Sequence, residues 1–245
     1  MQPPSYLQNL VSQPQHPNRP HVTLTFAQSL DAKIAGPAGV QLALSGPESM
    51  LITHWLRSMH DAILVGIATA LNDDPQLNTR LLPPSDQPRH LPRPIILDSS
   101  LRLPPTCKLL KNYAAGTGRR PWIIATRLSL NADPETANSW NARSDALIAA
   151  GAKILCIERG PDNTLAALEL LSAQGIRSLM VEGGARVIES FLRTENCVDT
   201  LIITTAPLLV GQQGVGYIVP SPSSRFRVSE TRMEGKDTIV VFVAN

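Results

Sequence analysis

A carboxylate, two glycines and an arginine stand together in Val181-Glu182-Gly183-Gly184-Ala185-Arg186-Val187. The run reads as a strand that ends in an acid and turns through two glycines into a helix. Glycine lets the backbone approach a pyrophosphate closely, and a helix start offers free N–H groups to it. The spacing is not GxGxxG, because position 186 is Arg, so the fingerprint of a Rossmann dinucleotide site is missing. A tight turn between strand and helix explains the same glycines. Glu182, at a strand's carboxyl end, is expected either to point into a site or to be partnered by an arginine.

Two further segments have the same form. In Val65-Gly66-Ile67-Ala68-Thr69-Ala70-Leu71-Asn72-Asp73-Asp74-Pro75 a glycine again leads from a strand into a helix start, where Thr69 adds a hydroxyl donor. No Gly-Lys-Ser/Thr follows, so P-loop spacing is absent. In Pro94-Ile-Ile-Leu-Asp98-Ser99-Ser-Leu-Arg102 the pair Asp98 and Ser99 closes a strand, and Arg102 is either a solvated loop residue or within reach of an anion. Arg57 ends a helix, where a cation meets the dipole favourably, and Arg80 follows Asp73-Asp74-Pro75 closely enough to pair locally. With a phosphorylated substrate the two arginines become an anion clamp, since guanidinium forks onto phosphate oxygens.

Metal chemistry finds no support. Cys107, Cys156 and Cys197 are odd in number and widely spaced, without CxxC or a Cys/His cluster, and Cys156 is expected to be a buried, inert thiol. The five histidines form no HExxH. His54 and His60 flank one helix without sharing a face, and surface or capping roles are expected for both.

These residues need a scaffold that brings strand ends together. His21–Ala27 alternates as a strand, and the loop SLDAKIAGPAGVQLAL follows it. Ser45 is expected to cap a helix that runs to about Met59, with Pro47 in its first turn and Glu48 three residues after the serine. Strands are predicted at 61–65, 94–98, 121–126, 152–157, 177–181 and 200–205. Residues 66–71 form a short helix or turn, and helices are predicted at 142–150, 163–173 and 185–192. A hairpin over 225–232 and 238–243 turns near Gly235-Lys236. Alternating strands and helices define an α/β fold with a mostly parallel sheet, flanked by helices and edged by an antiparallel C-terminal hairpin. Ligands in such sheets bind beyond the carboxyl ends of the strands.

The chain of 245 residues has 22 Lys+Arg against 20 Asp+Glu, a formal charge of +2. That balance argues against nucleic acid as the main partner. With 43% apolar residues the composition is globular, and no window approaches the roughly 18 apolar residues that span a bilayer. The N-terminus lacks a signal-type apolar core, which points to the cytoplasm. Residues 1–20 carry Pro3, Pro4, Pro14, Pro17 and Pro20 and read as a flexible, mobile or loosely docked arm, with one domain over 21–245.

The segments SLDAKIA, VGIATALNDDPQLNTR, PIILDSSLRLP and VEGGARVIESFL, in this order, resemble the reductase domain of riboflavin biosynthesis. The resemblance runs from about residue 21 to the C-terminus. The zinc motif of the deaminase that accompanies this domain in bacteria is absent, so the chain resembles the stand-alone, fungal type. The resemblance implies a dihydrofolate-reductase-like fold, a homodimer and NADPH as hydride donor, NADH being the alternative. It implies a substrate of the ribosylamino-pyrimidinone 5′-phosphate class. It implies that Ala27 lies along the nicotinamide and that Thr69 and Asp73 meet the cofactor. Ser99 would hold the adenosine end, with Arg102 near the 2′-phosphate. Gly183, Gly184, Ala185 and Arg186 would take the pyrophosphate. Gln41, Arg57, Leu77, Arg80 and Glu182 would meet substrate, and Glu182 and Asp73 are the two candidates for a proton donor. Two rivals share the scaffold: a pterin or dihydrofolate-type reductase, and a non-catalytic nucleotide-binding protein.

Overall fold

Short blocks of Val, Ile and Leu without alternation need cover on both faces. A computed structural model gives them that cover. It describes residues 2–8, 16–86, 89–129, 131–160, 163–219 and 224–245. The elements in chain order are α1 (Ser5–Gln8), β1 (His21–Ser29), β2 (Ala35–Pro37), α2 (Pro47–Met59), β3 (Ala62–Gly66), α3 (Ile67–Asp73), β4 (Arg93–Leu97), α4 (Lys108–Ala114) and β5 (Trp122–Thr126). They continue as α5 (Pro134–Ala149), β6 (Lys153–Ile157), α6 (Asn163–Ala173), β7 (Ser178–Val181), α7 (Ala185–Arg193), β8 (Thr200–Ala206), β9 (Gly214–Val215), β10 (Phe226–Glu234) and β11 (Asp237–Ala244).

Nine strands form one sheet in the order β10-β11-β8-β1-β7-β3-β4-β5-β6, and β2 pairs separately with β9. The strands from β8 to β6 run parallel, and β11 and β10 run antiparallel at the edge. This is the expected mostly parallel α/β sheet with a C-terminal hairpin, and the fold is dihydrofolate-reductase-like. Every residue of β3 and β5 is buried. On one face Ile52, Trp55 and Leu56 of α2 pack on Ile63, Val65, Met180 and Ile202. On the other, Leu168 and Leu171 of α6 and Ile188 and Phe191 of α7 pack on Val22, Leu24, Leu64 and Val181. Each such side chain stabilises the fold by roughly 1.5–3 kcal/mol when fully buried.

The sheet order puts the site together. The chain runs outward from β1 through β3, β4, β5 and β6, then returns to insert β7 between β1 and β3 and lays β8 on the other side of β1. The carboxyl ends of β1, β3, β7 and β8 therefore lie side by side.

Several local expectations are corrected. The residue capping α2 is Gly46, not Ser45, and no side chain of the helix start caps it. Asp237 does so from the start of β11, where Oδ2 accepts from Gly46 N and Ser49 Oγ, both at 2.7 Å. Helix α5 begins at Pro134 rather than Ala142, because Asp133 accepts from Thr136 N at 2.8 Å and caps it two turns earlier. Helix α4 had no counterpart in the sequence reading. Its Lys108 N–H is capped by Asp74 Oδ1 at 2.9 Å, from 34 residues upstream. Cys107 and Cys197 are buried, but Cys156 is only half-buried, since β6 is an edge strand. His54 is fully buried inside α2, neither surface nor cap, whereas His60 is the residue closing that helix and is also fully buried.

Parts of the N-terminal segment dock on the domain. Leu7 is buried against the α2 core, Tyr6 donates to Glu234 Oε1 at 3.3 Å, and Arg19 forks onto Asp199 at 2.7 and 2.9 Å. Met1 and residues 9–15 lie outside the described residues. No helix among those described is long and apolar enough to cross a membrane.

Candidate active site

β7 continues one residue past its end, where Glu182 N donates to Leu64 O of β3 at 2.9 Å. Side chains alternate across a strand, so with Val181 in the α7-side core, Glu182 falls on the α2 side. There Arg57, in the last turn of α2, forks onto it. Nε donates to Oε1 at 2.7 Å and Nη2 to Oε2 at 2.6 Å. Of the two placements open to Glu182, the structure shows the arginine partner. Arg57 Nη1 also donates to Asn78 O at 3.2 Å and lies 3.4 Å from His54 Nε2. Burial works against the Arg57 charge, but the charge and hydrogen bonds of Glu182 outweigh it and raise the guanidinium pKa. Burial, then the charges of Arg57 and Arg80, push His54 down to about 4.

The fork changes what Arg57 can offer a ligand. A guanidinium has five N–H bonds. Four are directed at Glu182, Asn78 and His54, which leaves one on Nη2 without a partner among the described residues. Each oxygen of Glu182 retains acceptor capacity. Arg80 is exposed and donates to Asn78 Oδ1 at 3.1 Å, so Asn78 connects the two arginines. The clamp drawn from Arg57 and Arg80 thus becomes an exposed Arg80 beside a polar pair. Leu77, buried at the base of this loop, is held at φ 45°. That left-handed backbone is uncommon for leucine and clusters at functional loops.

The two glycine turns pack on each other. A Cβ on Gly183 would fall 2.6 Å from Val187 Cβ and Cγ1, and one on Gly66 2.8 Å from Val187 Cγ2. A Cβ on Gly184 would fall 2.8 Å from Thr69 Oγ1. Packing alone therefore requires glycine here, and it also sets the Thr69 hydroxyl against the start of α7. That helix begins at Gly184 without a side-chain cap. Ala185 and Arg186 are its first two residues, so their N–H groups fit a phosphate group.

Ala27 is half-buried on β1, beside Thr204 of β8, and extends three residues past the pairing of Leu24 with Val181. The loop after β1 is fixed by Asp31, which accepts from Ser29 Oγ at 2.6 Å, Val210 N at 3.0 Å and Gly211 N at 2.7 Å. Those bonds hold its carboxyl down at about 2. Asp73 ends α3, and burial raises its pKa against the opposing hydrogen bond from Asn72.

Ser99 and Arg102 sit past β4, two strands from β7, or about 10 Å at the usual strand spacing. Both are exposed, and Arg102 Nε lies 3.7 Å from Asp98 Oδ1. Asp98 is fully buried and holds this turn by accepting from Leu103 N at 2.8 Å. Gln41 is exposed on a loop tied to α3 through Asn72 Nδ2 and Gly39 O at 3.3 Å, with no described contact to the Arg57–Glu182 pair. His54 and Asn78 were not read from the sequence as site residues. For His54 the available signal was its i, i+3 spacing from Arg57. Among the described residues, no group of three or more His, Cys, Asp or Glu is placed to hold a metal ion.

The sequence profile of the family described as RibD C-terminal domain matches residues 20–240. A relative from Debaryomyces hansenii, the 2,5-diamino-6-ribosylamino-4(3H)-pyrimidinone 5′-phosphate reductase, is 39% identical over 81% of this chain and 79% of its own. The Candida glabrata protein of the same name is 32% identical over 89% of this chain and 86% of its own. The riboflavin biosynthesis protein RibD of Aquifex aeolicus is 31% identical over 91% of this chain but only 58% of its own length. Among solved structures, the Saccharomyces cerevisiae riboflavin biosynthesis reductase Rib7 superposes with a TM-score of 0.74, at 26% identity over 99% of both chains.

Proposed function

The chain belongs to the RibD C-terminal domain family, and on that premise we propose that it reduces the ribosylamino side chain of 2,5-diamino-6-ribosylamino-4(3H)-pyrimidinone 5′-phosphate to the ribitylamino form, with NADPH as hydride donor. The observation that carries the reading is the pairing, at one strand end, of an Arg-forked carboxylate with a helix start that no side chain caps.

The reaction opens the ribosyl ring to an imine, so that C1′ becomes electrophilic, and then adds hydride at C1′ and a proton at nitrogen. NADPH, when bound, supplies the hydride. The protein supplies orientation and charge. Gly183, Gly184, Ala185 and Arg186 would hold the pyrophosphate, with Thr69 donating beside them. Ala27 would border the nicotinamide, Asp73 would meet the cofactor, and Ser99 with Arg102 would hold the adenosine end. Arg80 and the remaining Arg57 N–H would face the substrate's 5′-phosphate or polar face, with Leu77 and Gln41 beside it.

Glu182 is held by two charge-assisted bonds, a geometry that uses the ionised carboxylate and suits it to accept from substrate N–H or O–H groups. Asp73, whose carboxyl pKa is raised by burial, stays the second candidate for a proton donor beside Glu182. We further infer a homodimer, which sedimentation at micromolar concentration tests directly.

NADPH absorbance decides the main reading. Oxidation with the diamino substrate and little with its deaminated form supports it. A preference for the deaminated form keeps the reductase and reverses the order of steps. NADPH binding without oxidation of either overturns it.

A further inference from the structure

Beside the turn that follows β4 lies a cavity of about 380 Å³, bounded on its other side by the second half of α5. Leu101, Leu103 and Leu147 give it an apolar wall, and Arg102, Ser139 and Arg143 supply its polar groups. Helical spacing puts Arg143 on the packed side of α5, because Trp140, three residues before it, and Leu147, four after it, both belong to the core. Its guanidinium is anchored there. Nε donates to Ser100 O at 3.0 Å, and Nη1 to Ser139 Oγ at 2.7 Å. Those bonds use two of the five N–H groups, so one on Nη1 and both on Nη2 have no partner among the described residues.

The charges around the cavity are one-sided. Among the described residues Arg143 has no acidic partner, whereas Arg102 Nε lies 3.7 Å from Asp98 Oδ1. No Asp or Glu among the described residues lines the cavity. Asp98 is fully buried inside the turn, where Oδ2 accepts from Leu103 N at 2.8 Å, and it offers nothing to a ligand hydroxyl. The turn itself holds Leu101 in left-handed backbone at φ 55°, the kind of strain that clusters at ligand-binding sites. A dinucleotide site for a free ribose 2′-OH presents an acid to it, and one for a 2′-phosphate presents an arginine.

We propose that this cavity takes the phosphorylated ribose of NADPH and that Arg143 selects NADPH over NADH, its outer Nη1 and Nη2 N–H groups forking onto the 2′-phosphate. Arg102, already beside Asp98, is the weaker of the two cations. The proposal rests on the reductase reading, which puts Ser99 and Arg102 at the adenosine end, and adds the residue on a separate helix that reads the phosphate.

Calorimetric titration with 2′,5′-ADP, 5′-AMP and inorganic phosphate tests this without turnover. The wild-type protein should bind 2′,5′-ADP at least tenfold more tightly than 5′-AMP or phosphate. Arg143→Gln should remove about tenfold of that affinity, the loss of a hydrogen bond to a charged group, and leave 5′-AMP within about twofold. Arg143→Lys should keep part of the preference, and Arg102→Gln should cost less than Arg143→Gln. Equal weakening of both nucleotides by Arg143→Gln, or no weakening, reduces Arg143 to a brace for Ser100 and overturns the proposal. Phosphate that binds as tightly as 2′,5′-ADP overturns it too, as a bare anion site. A 31P spectrum of 2′,5′-ADP on the wild-type protein needs no variant: the 2′-phosphate resonance should shift on binding, and an unmoved one refutes the fork. NADPH oxidation without any 2′-phosphate preference would sink this site and keep the reductase reading. The preference without oxidation of either pyrimidine would do the reverse.

Discussion

Replacing Glu182 with Gln separates what the Arg57 fork does for the fold from what it does for the reaction. The wild-type carboxylate accepts from Nε at 2.7 Å and from Nη2 at 2.6 Å. Glutamine retains one acceptor oxygen and turns an NH2 toward the other guanidinium N–H. One charge-assisted bond is lost, worth about 1.5–3 kcal/mol. The guanidinium also loses its counter-charge with its side chain only 11% exposed. Breaking a fully buried pair costs about 3–5 kcal/mol, and the residual exposure of this one brings the expectation to about 2–3 kcal/mol. For a chain of this size that is a fall in Tm of about 4–12 °C. The double variant Arg57→Met/Glu182→Leu should recover most of the stability, since no charge is left stranded, and stay inactive. In the single variant, turnover should fall more than NADPH affinity. Thermal and urea unfolding, with NADPH titration and steady-state kinetics alongside, measure all of this. A Tm within about 1 °C of wild type would refute the energetic reasoning. Equal loss of turnover and NADPH affinity would remove Glu182 from the substrate side of the site.

Thr69→Ala should weaken NADPH by about 1 kcal/mol in a fluorescence titration; unchanged affinity would reduce Thr69 to a packing neighbour of Gly184. Gly183→Ala drives a Cβ to 2.6 Å from a stiff, β-branched Val187 and should lower stability by about 1–3 kcal/mol, read from the urea midpoint. Arg80→Ala, at an exposed position, should change stability by less than about 0.5 kcal/mol while raising the KM for the phosphorylated substrate. A change in stability with KM unmoved would show that the loop, not the ligand, uses Arg80. His54 and His60 have pKa values of about 4, below the ordinary 6.5, first of all because both are buried. The folded state then binds fewer protons than the unfolded one between those values. Stability is complete above about pH 6.5, declines as pH falls toward 4, and loses at most about 3 kcal/mol per histidine. Urea midpoints at pH 7.5 and 5 read the slope, and a midpoint that rises on acidification contradicts it.

What the sequence made legible depended on how far away the deciding partner lies. β3 and β5 are uniform apolar runs, and burial on both faces needs no further information. The glycine turns at Gly66 and Gly183 were likewise visible, because glycine next to a strand end is a local signal. Ser45 looked like a cap by the same local logic, yet Asp237, 191 residues from Gly46, supplies the acceptor. Arg57 looked like a helix-end cation, and its partner Glu182 lies 125 residues away. His54 shares its helical face with Arg57, three positions on, and not with His60, six positions on. The start of α5 is not legible locally, because its opening turns, Pro-Glu-Thr-Ala-Asn-Ser-Trp-Asn, have no apolar stripe.

The insertion of β7 between β1 and β3 has a consequence for biosynthesis. Both neighbours of β1 are made late: Leu24 pairs with Val181 on one side and with Leu201 on the other. At about 5–20 residues per second, the ribosome needs on the order of ten seconds or more to deliver them after β1 has emerged. During that interval β1, a central strand of the finished sheet, has two bare hydrogen-bonding edges. Nascent chains halted before Ser178 should therefore be captured by chaperones or aggregate, while chains released after Ala206 acquire the central strands and the Arg57–Glu182 pair in one cooperative step. The geometry that assembles the site from distant segments also makes it one of the last parts of the molecule to exist.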